Sequence, residues 1–188
     1  MYSQIEHDKA IFYFDILRDM CCDIDIQEDA DCLVLGNEEE KCSYKLSDVN
    51  KVFPQVKTLY IGPNVIDIVI RNAMFPNVEK VISDNPMFAS GNMLVKHHIL
   101  LNAFYQTDDA VIDLKDVFLI KAFAFNGCRA KKFINTADIK VCSEKAFAGS
   151  ALLKDNPQPI ITAGSILVKI AEDADEIEIP EYITMVMP

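Results

Sequence analysis

The sequence predicts a solenoid, mainly β or α/β, of short units about 22 residues long, with inserted β-hairpins and an N-terminal cap. Three observations carry this. The second half repeats itself at a fixed spacing, a glycine-bearing hairpin pattern occurs twice, and the charge balance breaks near residue 50.

The cap comes first. Residues 1–50 hold 13 acids and 4 bases, whereas residues 51–188 hold 16 acids and 14 bases. The division is therefore an acidic N-terminal segment, 1–52, and a repeat body, 53–188. A stacked-repeat protein has to shield its first core layer with an atypical unit, and 1–52 is the segment available for it. Residues 31–36 and 41–46 are expected to pair as two strands around a turn at 37–40. Residues 9–22 read both ways: Phe12, Phe14 and Ile16 alternate as in a strand, while Ile5, Phe12, Ile16 and Met20 share a helical face. The balance leans to helix.

The body follows. Laying residues 111–128 over 133–150, a shift of 22, places Val111 on Phe133, Val117 on Ile139, Ile120 on Cys142, and Ala124-Phe125 on Ala146-Phe147. Partial copies begin at Leu59 and Ile177. A unit this short cannot bury its own apolar face, so stacked copies must share one core. The expected columns are Leu59, Val111, Phe133 and Ile177, then Val65, Val117, Ile139 and Ile183, with Phe125 and Phe147 stacked where the chain turns. Gly91 to Lys96 and Gly164 to Lys169, each preceded by Asp-Asn-Pro, read as hairpins inserted between units.

The Ala-Phe-Asn-Gly-Cys at 124–128, the Ala-Phe-Ala-Gly-Ser at 146–150 and the Ile-Pro-x-x-Ile-x-x-Val at 179–186 resemble the BspA-type leucine-rich repeats. The resemblance covers about residues 53–188. It implies a leucine-rich-repeat solenoid or horseshoe with a parallel strand per unit. It also implies a binding or adhesive role, often at bacterial cell surfaces, and no catalytic residues.

Charge and motifs narrow the function. A net charge of −11 argues against nucleic acid as a partner, because phosphate neutralisation needs a basic surface. No apolar run approaches the roughly 20 residues of a membrane span. The N-terminus lacks the basic and apolar regions of a signal peptide. The expectation is thus a cytoplasmic chain, or a secreted or surface chain given without its leader. The six cysteines form no C-x-x-C pair and read as reduced, mostly buried thiols, with Cys32–Cys42 the one bridge worth considering. The acidic run 23–31 lacks the glycine and terminal glutamate of a calcium loop, so it reads as a solvated face. His97 and His98, as strand neighbours, would point to opposite sides and not chelate together. Arg129, Lys131, Lys132 and Lys140 read as a solvated basic turn. No nucleophile elbow or phosphate loop occurs. The chain is therefore expected not to be an enzyme, with no cofactor, no metal site and no catalytic residues.

The expected site is the row of residues lying between core positions, which alternation turns outward: Tyr60, Ile112, Ile134 and Glu178. Three of the four are apolar, which suits a protein partner. The expected function is a non-enzymatic protein-interaction module, adhesin-like at a surface, or else an intracellular scaffold or regulatory repeat protein. A third class would place metal binding or chemistry in the N-terminal segment. An open C-terminal sheet edge is expected to support homo-oligomerisation.

Overall fold

The computed structural model describes residues 2–36, 40–104, 107–154, 156–172 and 176–187. The chain forms two compact units, 1–97 and 98–188. Both are built from β-strands. Among the described residues there is no α-helix, only a 3-10 turn at Asn72–Met74.

The first unit opens with an antiparallel meander, β1 (Tyr2–His7), β2 (Ala10–Asp15) and β3 (Met20–Ile26). Residues 9–22 are therefore strand, turn and strand, not helix. The alternation of Phe12 and Phe14 outweighs the helical stripe because β2 gains a ladder of partners on both sides, while Ile16 falls in the turn. The meander buries Phe12, Cys21 and Ile24. Phe12 and Phe14 set their ring edges against Tyr44, at centroid distances of 5.6 and 6.2 Å.

Parallel stacking then begins. β4 (Cys32–Leu35), β6 (Thr58–Ile61) and β8 (Lys80–Ser83) form one sheet in that order. β5 (Cys42–Lys45) and β7 (Val65–Val69) continue the meander sheet beyond β3. The two segments expected to pair with each other, 31–36 and 41–46, thus lie in different sheets. Each is too short to bury its apolar side in a hairpin, and stacking on the next repeat layer does bury it. The turn expected between them falls at 37–39, outside the described residues. Thr58 pairs with Lys80, an offset of 22 residues, and Leu33, Leu59 and Val81 fill one core column. The boundary expected at 52/53 falls between β5 and β6, so the parallel ladder begins before it. A hairpin of β9 (Phe88–Ala89) and β10 (Met93–Lys96) follows, and Gly91 bridges Val81 at the side of β8.

The second unit repeats the plan. β11 (Ile99–Ala103), β13 (Leu119–Ile120) and β15 (Val141–Cys142) pair in parallel, as do β12 (Val111–Asp113) and β14 (Lys132–Ile134). β16 (Ile160–Ala163) and β17 (Ile166–Ile170) make the second hairpin, and β18 (Met185–Val186) adds in parallel to β17. Gly164 turns that hairpin at φ +60°, where a Cβ would also run into Thr136 Oγ1. The expected stack of Phe125 on Phe147 is present, with centroids 4.6 Å apart and planes 20° apart. Phe53 and Phe75 stack likewise in the first unit, at 5.7 Å.

Register corrects one expectation. Ile112, not Val111, pairs with Phe133, an offset of 21 residues, while Ile120 and Cys142 keep the offset of 22. The later unit carries one more residue between its two strands. A slip of one residue moves every side chain to the opposite face. Val111 is therefore 45% exposed, and Ile112 is fully buried. All six cysteines are free, so Cys32 and Cys42 are not bridged.

Candidate functional site

The four residues expected to form one outward row do not form one. Tyr60 is half-buried in the first unit between Val34 and Ile82, and its hydroxyl donates to the Asp84 carboxylate. Ile112 is core, for the register reason given above. Ile134 is exposed on β14 opposite Asp113, as expected, and Glu178 is exposed but lies outside any strand.

A different row is better assembled, and it lies on the second strand of each repeat. Ile99 pairs with Leu119 and Leu119 with Val141, so three apolar residues stand in register across β11, β13 and β15. Parallel strands hold such residues about 4.8 Å apart. Leu100, Ile120 and Cys142 point the other way and are buried. The preceding position adds His98, Phe118 and Lys140, tied by Phe118 N–H donating to His98 O at 2.8 Å and Lys140 N–H to Phe118 O at 2.8 Å. The His98 and Phe118 rings stack at 4.7 Å, and His98 Nδ1 lies 2.7 Å from Asp116 O. Val141 is 52% and Phe118 42% exposed. Lys121 follows β13 directly, and Lys145 lies beside the exposed Phe123, whose N–H donates to Lys145 O.

The repeat itself could have found this row. Phe118-Leu119 and Lys140-Val141 precede Ile120 and Cys142, which the 22-residue shift already matched. The outward row expected from the sequence lies on the first stretch of each unit, and this one on the second.

The remaining polar clusters have structural partners. Lys51 bonds Asp23 and Asp25 at 2.8 and 3.0 Å, and Tyr13 donates to Asp25. The Lys51 ammonium, then the Tyr13 hydroxyl, hold the Asp25 carboxyl below its ordinary range. Lys9 pairs with Asp29 in the same acidic run. Arg129 and Lys131 both engage Asp108. His97 and His98 sit at φ 45° and 66°, in a turn and not in a strand. A groove of about 220 Å³ between the meander and Cys42–Tyr44 is lined by Ile5, Phe12 and Phe14. Among the described residues no group of three or more His, Cys, Asp or Glu is placed to hold a metal ion. No described helix is long and apolar enough to cross a membrane.

Compared with known proteins, the chain matches no family model, no curated protein and no solved structure.

Proposed function

We propose that this protein is a non-enzymatic protein-interaction module whose contact surface is the outward face of β11, β13 and β15. One observation supports it above the others. Ile99, Leu119 and Val141 form a registered apolar row that the core does not use, with exposed Phe118 just before it and exposed Lys121 and Lys140 near its residues in sequence. Exposed apolar and aromatic clusters with a polar rim are the usual anatomy of protein contacts. A rigid parallel sheet presents them at little entropic cost.

The assignment to BspA-type leucine-rich repeats belongs to the same proposal. Its support is the buried, stacked Ala-Phe corner at 124–125 and 146–147. The role this implies is adhesion at a bacterial cell surface. Six free thiols favour the second reading, an intracellular scaffold, because thiols stay reduced in that compartment. Protease accessibility on intact cells separates the two readings. Digestion of the protein supports the surface role, and protection supports the scaffold.

The contact face is tested by a photo-cross-linking amino acid at position 118, with exposed Val52 in the other unit as the control position. A discrete protein adduct at 118 and none at 52 is the expected result. Equal labelling at both positions would sink the proposed face.

A further inference from the structure

The basic surroundings of this face are anomalous in so acidic a chain. Residues 115–154 carry eight bases and three acids, while the whole chain carries −11. Lys121, Lys140 and Lys145 are exposed beside the row and make no ion pair among the described residues. The acids nearest to them in sequence are Asp116, Asp138 and Glu144, one for each lysine. The face therefore combines apolar side chains with unneutralised positive charge.

Its complement is in the same chain. Residues 170–188 hold six acids and no base. Within that stretch Glu176, Glu178 and Glu181 are exposed, and they too make no ion pair among the described residues. They alternate with apolar residues that are also exposed: Ile179 at 48% and Tyr182 at 58%. The stretch is anchored beyond them, where Thr184 N–H donates to Ser165 O and β18 pairs with β17. The N-terminal acids are less suited, because Asp23, Asp25 and Asp29 already hold lysines.

We propose that the partner of the β11–β13–β15 face is a second copy of this chain, docking through its acidic, apolar segment 176–182. Glu178 and Glu181 meet Lys121 and Lys140, and Ile179 and Tyr182 cover Phe118 and Val141. This rests on the interaction-module reading and names the partner for that same site. Face and segment are different surfaces, so the contact either closes reciprocally as a two-fold dimer or runs head to tail into rings or open chains.

Sedimentation of the full purified chain over a concentration series tests it. The expected result is concentration-dependent association. Reversing the face (Lys121→Glu with Lys140→Glu) or the segment (Glu178→Lys with Glu181→Lys) should each weaken association about tenfold or more, since attraction becomes repulsion. The fourfold variant carrying all four reversals should regain it. All four positions are exposed, and unchanged thermal unfolding confirms that each variant folds. Association indifferent to both reversals overturns the proposal. A monomer at every concentration overturns it too. In that case, a cross-link from position 118 to another protein leaves the interaction-module reading standing, and no cross-link removes both.

Discussion

Ile112 and Ile134 look alike in the sequence and differ wholly in the folded chain. Ile112 is fully buried and Ile134 is 47% exposed, so the same substitution separates them. Ile112→Lys buries an unpaired ammonium and should cost more than about 4 kcal/mol, a large share of the stability of an ordinary domain. Ile134→Lys should stay within about 0.5 kcal/mol. Urea midpoints of the two variants check this, and equal loss would mean the register is wrong. Cys21 offers a second test. Burial pushes its thiol from 9.0 up to about 12, against weaker lowering by backbone hydrogen bonds. The unfolded thiol ionises first as pH rises. The stabilisation is therefore complete below pH 9.0 and is lost on the way to about 12. Stability measured by urea at pH 7 and pH 10 should fall, and should fall less in Cys21→Ala. The same decline in both proteins would place the effect on other groups. Tyr44, also raised by burial, adds to the decline only above its ordinary value of 10.0.

The repeat corner is the element that most of the second unit leans on. Phe125 and Phe147 are fully buried and stacked. Gly127 N–H donates to Gly149 O, and Asn126 Nδ2 donates to Ala148 O, each at 3.0 Å. Gly149 sits at φ +75°, and a Cβ there would collide with Asn126 Nδ2. Phe147→Ala should cost about 3–5 kcal/mol. The Phe125→Ala/Phe147→Ala double variant should depart from additivity by about 0.5–1.5 kcal/mol. A strictly additive double-mutant cycle would deny the stacking. This corner was legible because it repeats in residue identity, Ala-Phe with glycine two residues on. The first strands were less so. Val111-Ile112-Asp113 and Phe133-Ile134-Asn135 align equally well one residue apart, and only pairing across the ladder chooses between the registers. The exposed row failed for a related reason: alternation says that one of two faces is outward, not which strand of the turn stays uncovered.

At the scale of the molecule, two β-rich units carry repeat stacking, so neighbouring layers supply most of the stabilisation. The far-UV circular dichroism spectrum should be that of β-sheet without the double minimum of helix. A helical spectrum would contradict the assignment of residues 10–15 and 20–26 to strands. The sequence by itself determined the repeat, its period, the stacked aromatic corners and both hairpins, because each is written in identities recurring at fixed spacing. It also determined the acidic charge and its unevenness. Only the tertiary structure decided that the N-terminal segment is a meander, that residues 31–36 and 41–46 join different sheets, and that Ile112 belongs to the core. Those outcomes depend on which backbone ladder a short apolar strand completes, and short strands fit several ladders until neighbouring layers are in place.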